Sequence, residues 1–155
     1  MNVFEVRAIG QVRGGRDVPE DDCWEGISAE IELDPTVFNA EALLGLDQFS
    51  HAEIVFVFNQ VGPGDITYDA RRPRGRADWP RVGIFAQRGR NRPNRIGVSV
   101  CRIIRVSGLT LRVQGLDAID GTPVLDIKPV MAGFRPRGEV NEPEWAREIM
   151  ERYWR

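Results

Sequence analysis

Residues 81–100 read RVGIFAQRGRNRPNRIGVSV. The two ends of this stretch are apolar and β-branched, the composition of strands, and an Arg/Asn/Pro loop joins them. Strands are therefore predicted at Val82–Ala86 and Val98–Val106. The loop between them carries Arg88, Arg90, Arg92 and Arg95, with Pro93 to stiffen it. Folding alone gives no reason to collect four guanidinium groups there. Their fixed forks of donors suit phosphate and carboxylate oxygens, and a loop held between strands is a natural place for a binding site.

Working outward, strand signals dominate. Ser107–Gly108 is a tight hairpin turn leading into a strand at Leu109–Val113. Ala52–Phe58, AEIVFVF, reads as a buried strand, and Ile27–Leu33 alternates apolar and polar residues with a period of two. Val3–Val12 is expected to be the first strand, stopped at Gly14–Gly15, and Val124–Ile127 the last. Gln60–Pro80 has no period and is read as one long loop. Two helices are expected. One runs over Pro35–Leu44, with Asp34 as its cap and proline at the first position. The other runs over Asn141–Trp154, with Asn141 and Glu144 at capping-box spacing. Together these predict a mainly β fold, a small β-barrel with one or two peripheral helices, occupying residues 1–155 as a single domain.

Composition narrows the partners. The chain has 155 residues, is 42% hydrophobic and carries a formal charge of −2. No apolar run approaches the ~20 residues that span a bilayer, so no membrane is expected. Cys23 and Cys101 are too few and too far apart for a zinc or redox motif, so no metal site is expected and both are read as free thiols of a cytoplasmic protein. The charge is segregated. Residues 1–60 hold 12 acids against 3 arginines, whereas residues 71–112 hold 12 arginines and one acid, Asp78. Such a band either meets a phosphate-bearing partner or pairs with the acidic third of the chain.

Phosphate-loop and dinucleotide motifs are absent, so there is no Rossmann domain in this reading. Three other stretches carry polar groups suited to a ligand. Leu116–Pro129, LDAIDGTPVLDIKP, brings Asp117, Asp120 and Asp126 close in sequence and contains the turn Asp120–Gly121–Thr122–Pro123, which is explained equally by turn chemistry. Asn59–Gln60, at the end of a strand, offers amides that could read an adenine edge. Trp24, beside Asp21 and Asp22, is either a stacking ring or core. No catalytic base stands out; His51 and Asp126 are candidates only.

The blocks IGQVR, LDQFSHAEIVFVF, GIFAQR…RPNRIGVS and LDAIDGTPVLDIKP resemble the TsaA/TrmO-type (YaeB-like) family over roughly Val3–Pro129. The resemblance implies a β-barrel enzyme that uses S-adenosyl-L-methionine to methylate N6 of threonylcarbamoyl-adenosine beside the tRNA anticodon. It also implies a homodimer with the cofactor at the interface. Carried over by position, cofactor contacts fall on Asn59, Gln60, Arg88, Val98 and Asp120, Gly121, Thr122 and Pro123. Arg92 and Asn94, together with Arg90, are expected to hold the acceptor. The family's Pro-Arg-Gln-Pro-Gly loop is replaced here by PEDDC, so Asp22, Cys23 and Trp24 stand in for it. Gly89-Arg90-Asn91 replaces Ser-Pro-Phe, and Arg95 stands where proline is usual. The chain is expected to be a short form without the family's C-terminal extension. Two alternatives stay open: a methyltransferase for a small molecule, and a non-catalytic cofactor sensor or RNA-binding module.

Overall fold

In Ser28–Leu33 (β2) Ala29, Ile31 and Leu33 are buried while Ser28, Glu30 and Glu32 face outward, as the period of two requires. The same alternation runs through His51–Val57 (β3), where Ala52, Ile54 and Phe56 point in. A sheet with one apolar face buries it by curling on itself. The computed structural model, which describes Met1–Arg155, shows that closure. Its other barrel strands are Gly10–Arg13 (β1), Ile96–Ser107 (β6), Thr110–Gln114 (β7) and Pro123–Pro129 (β8); Ala70–Arg71 (β4) and Val82–Gly83 (β5) form a separate two-stranded sheet. The barrel order is β1–β2–β7–β6–β3–β8, antiparallel throughout, and it closes where Gly10 and Gln11 pair with Val124 and Pro123.

Val12, Ile31, Ile54, Phe56, Leu111, Val113, Leu116 and Val124 fill the interior and are at most 1% exposed. Two glycines permit this packing. A Cβ on Gly10 would be driven into the Glu32 carbonyl of the neighbouring strand, and one on Gly97 would stand 2.5 Å from the Phe56 ring. Phe56 and Phe58 meet edge to face, with centroids 5.2 Å apart.

Several elements differ from the sequence expectation. The first strand covers only Gly10–Arg13; Val3, Phe4 and Val6 are 92%, 83% and 70% exposed, because this strand-prone run has no strand to pair with. Pro35–Leu44 is not an α-helix. Asp34 caps a single turn through Thr36, and Asn39 then caps a new 3-10 turn at Ala40–Leu43, so the second capping residue interrupts the first helix. The long loop Gln60–Pro80 contains β4. The strand expected at Val82–Ala86 ends at Gly83 and continues as a 3-10 turn. The only α-helix, α1, spans Glu144–Met150 and starts after Pro143, not Asn141. Pro143 holds Glu142 out of the helical region, which disqualifies Asn141 as the cap. No helix is long and apolar enough to cross a membrane.

The registers give the barrel a polarity. The C-terminal ends of β1, β3 and β7 and the N-terminal ends of β2, β6 and β8 lie together, since Arg13 pairs with Glu30, Ser28 with Gln114, Val57 with Ile96 and Phe56 with Val124. The long connections 14–27, 58–95 and 115–122 therefore all leave from one end. The other end carries the short turn at Gly108 and the connection 34–50.

Candidate cofactor and substrate site

Every residue that the resemblance assigned to cofactor or acceptor lies on those three connections or, like Val98 and Pro123, at the adjoining end of a strand. The Asp120 turn is fixed to the first strand. Asp120 Oδ1 accepts from Gly14 N at 2.7 Å, Asp120 N donates to Arg16 O at 2.8 Å and Gly121 N donates to Val12 O at 2.8 Å. Gly121 supplies a positive φ of 75°, and Thr122 is buried. Asp120 therefore keeps its second oxygen clear of this backbone contact.

Arg16 extends the wall to the second loop. Its guanidinium donates to Asp22 O at 2.7 Å and Cys23 O at 2.9 Å, and it lies 4.5 Å over the Trp24 ring. Trp24 is 3% exposed, with Nε1 donating to Glu20 O, so the indole braces the loop from within. Asp22 is gripped by both terminal nitrogens of Arg74, at 2.8 and 3.1 Å. Cys23 is exposed with φ of 67°, and Cys101 is buried in the barrel; the two thiols are not bonded.

On the third connection, Arg88 Nη2 donates to Val98 O at 2.7 Å, which joins two of the residues assigned by resemblance. Arg92 Nη1 donates to Gln87 O, and Arg95 Nη1 donates to Val61 O, both at 2.8 Å. Phe58 N donates to Arg95 O, so the turn carrying exposed Asn59 and Gln60 is moored to the start of β6. Arg90 and Asn94 are exposed, and Asn94 and Arg95 take positive φ values of 62° and 55°. Such values are uncommon away from glycine and mark a loop whose shape is imposed by its surroundings.

Three residues joined at this end of the barrel have no individual role in the sequence reading. Asp117 is half-buried, held by Ser99, whose hydroxyl donates to Oδ1, and by Tyr153, whose phenol donates to Oδ2. Burial pushes the Asp117 carboxyl up from its ordinary value, against the downward pull of the Tyr153 hydrogen bond and the nearby Arg88 charge. Burial and the same carboxylate push the Tyr153 phenol up, so it remains a donor. They likewise push up the Cys101 thiol. Tyr153 also belongs to a backbone strap: Cys23, Trp24 and Glu25 N–H groups donate to the carbonyls of Arg152, Tyr153 and Trp154 at 3.0, 3.0 and 2.8 Å. Asp117 lay within a quoted block, but nothing there distinguishes it from Asp120. Tyr153 is read there only as part of the helix expected over Asn141–Trp154, and it lies beyond α1.

Of the two bases considered, His51 opens β3 at the opposite end of the barrel, bonded to Ser50. Asp126 is paired with Lys128 and accepts from Ile127 N. The arginine band is largely not neutralised within the chain. Of its twelve arginines only Arg74, Arg76 and Arg81 are in ion pairs, and only Arg74 reaches the acidic third of the sequence.

A closed antiparallel barrel, with its long loops, its arginines and its candidate ligand groups gathered at one end, defines a β-barrel binding domain without a Rossmann core. A family model for the tRNA-methyltransferase O N-terminal domain matches residues 13–134, and the chain belongs to that family. It is 36% identical over 142 residues to the tRNA (adenine(37)-N6)-methyltransferase of Escherichia coli, covering 84% of this chain and 59% of that protein. The human protein of the same name is 38% identical over 115 residues, 73% of this chain and 26% of the relative. A crystal structure of TrmO from Pseudomonas aeruginosa superposes with a TM-score of 0.71 at 31% identity, over 90% of this chain and 61% of that one. The chain thus spans between about a quarter and three fifths of these curated relatives.

Proposed function

We propose that this protein is an S-adenosyl-L-methionine-dependent methyltransferase acting on tRNA, with N6 of threonylcarbamoyl-adenosine next to the anticodon as its acceptor. The observation that carries this reading is the convergence of Arg88, Val98, the Asp22–Trp24 loop, Asn59–Gln60 and the Asp120 turn at one barrel end, in a chain whose relatives are named tRNA methyltransferases.

The donor set fits the cofactor. A guanidinium suits a carboxylate, carboxylates suit an ammonium or ribose hydroxyls, and amides suit an adenine edge. Arg88 spends only Nη2 on Val98, and Asp120 only Oδ1 on Gly14. When bound, the cofactor supplies an electrophilic methyl group on a sulfonium. The protein's own part is orientation and electrostatics. Arg88, held against Val98, fixes one end of the pocket; the Asp120 turn, tied to Val12, Gly14 and Arg16, fixes the wall beside it. Asn59 and Gln60 read the base. Arg90, Arg92 and Asn94 present the acceptor strand, and the band of arginines attracts its backbone.

The assembly in this proposal is a homodimer. Val57 and Ile96 pair on the outer face of the barrel, as do Val55 and Val98, and Val100 continues the strip. Ile96 and Val100 are 39% and 49% exposed, and Phe85 is 76% exposed. An outward apolar strip beside the ligand loops suits a second copy. We further place the protein in the cytoplasm, where its two free thiols and a tRNA substrate are compatible.

The test is transfer of labelled methyl from S-adenosyl-L-methionine to bulk tRNA of the source organism, followed by nucleoside analysis. Label in a methylated threonylcarbamoyl-adenosine is the expected result. Cofactor binding without transfer to tRNA would favour a small acceptor or a sensor instead.

A further inference from the structure

Arg71, in β4, is the one residue whose buried side-chain polar atom has no partner: its Nε lies out of contact with solvent and donates to nothing. Its terminal nitrogens make no ion pair with any carboxylate of the chain, and they rise directly beneath the arginine loop. Gln87 Nε2 donates to Arg71 O at 3.1 Å, and a Cβ placed on Gly89 would stand 2.6 Å from Arg71 Nη2. Glycine at 89 therefore lets the guanidinium come up against the loop backbone, between Arg88 and Arg90. An N–H buried without an acceptor is costly, because that donor has lost water and gained nothing in return, whereas the terminal nitrogens stay open to a partner. The single acid of the 71–112 stretch, Asp78, is already bound to Arg76. Asp69, two residues before Arg71, lies 4.0 Å from Arg81, so Arg71 is left open to an anion brought by a ligand.

We infer that Arg71 is a phosphate-binding residue of the substrate site, taking a phosphodiester of the RNA backbone through the opening left by Gly89. This rests on the tRNA reading above and adds to it a residue and a contact that the sequence blocks do not indicate. Phosphate is favoured over an isolated carboxylate by its setting. Arg72, Arg90 and Arg92 lie on the same two segments and are in no ion pair, which matches a repeating anion.

The experiment is a salt titration of tRNA binding to the full chain and to Arg71→Gln and Gly89→Ala, alongside calorimetric cofactor binding and thermal unfolding with and without inorganic phosphate. Arg71→Gln is expected to weaken tRNA about tenfold at 0.1 M salt and to flatten the slope of log K against log salt by about 0.7–0.9, the release from one phosphate contact. Gly89→Ala is expected to do the same by displacing the guanidinium, since the atom it meets is the far end of a flexible side chain. Cofactor affinity and melting temperature of Arg71→Gln should not fall. A structural arginine would behave oppositely, and a melting temperature lowered by several degrees would overturn the inference. So would tRNA binding by both variants with the wild-type slope. If the wild type binds no tRNA but phosphate stabilises it and not Arg71→Gln, the anion site stands while the tRNA reading falls. If the wild type binds no tRNA and phosphate does not stabilise it, both fall.

Discussion

Tyr153→Phe removes one oxygen and nothing else, and its effect can be worked through. The phenol donates to Asp117 Oδ2, and Ser99 holds Oδ1, so the half-buried carboxylate has one hydroxyl on each oxygen. A hydrogen bond to a charged group contributes roughly 1.5–3 kcal/mol, and an acceptor left buried without it forfeits that amount. With an unfolding entropy of about 2.1 cal/mol/K per residue, a loss near 2 kcal/mol in a chain of this size lowers the melting temperature by about 6 °C. The loss has a pH dependence of fixed sign. The folded-state pKa of Asp117 lies above its unfolded value because burial opposes the charge. Its contribution to stability is thus fully present below the unfolded pKa and declines as pH rises through the folded one. Tyr153 moderates that decline by favouring the carboxylate, so Tyr153→Phe should be nearly harmless in acid and increasingly destabilising toward neutral pH. Thermal unfolding across pH 4–8 reads this directly. An equal shift at every pH, or none at pH 8, would refute a charged Asp117 as the group that Tyr153 serves. Asp117→Asn should abolish the pH dependence, and combined with Tyr153→Phe should show strong non-additivity.

Three further outcomes are expected. Arg88→Ala should weaken S-adenosyl-L-methionine binding at least tenfold in calorimetry while leaving the melting temperature within about 2 °C, since its one protein hydrogen bond is an exposed one to Val98 O. Gly10→Ala should cost at least about 3 kcal/mol in urea unfolding, because its methyl meets the Glu32 backbone, which cannot turn aside as a side chain would. Gly97→Ala, pressed against the Phe56 and Phe58 rings, should cost about 1–3 kcal/mol, and Phe56→Leu in the same chain should recover part of it.

Much of the barrel is legible in the sequence because its strands obey a strict period of two with one buried face. Ser28–Leu33, His51–Val57 and the hairpin around Gly108 fall within a residue or two of expectation. The errors lie where local preference had no tertiary partner or met a competing one. Val3–Ala8 has the composition of a strand and nothing to pair with. Asp34–Leu44 has two good caps, and the second defeats the helix promised by the first. The loop residues were legible as a set through their chemistry, as arginines, amides and a turn. Asp117 and Tyr153 were not, because their importance comes from meeting across 36 residues of chain, which periodicity does not encode. Trp24 stood between two readings in sequence and lies in the interior, under Arg16.

The strap between residues 23–25 and 152–154 gives the loop a history as well as a shape. Its three amide groups are satisfied only by carbonyls from the far end of the sequence. During synthesis, the barrel strands up to Pro129 can pair while this loop still has nothing to hold it, and non-local contacts of this kind form late. The end of the barrel that carries the long loops is therefore set after the strands themselves. A nascent chain halted before residue 152 would carry a nearly finished barrel with the 23–25 loop still unset.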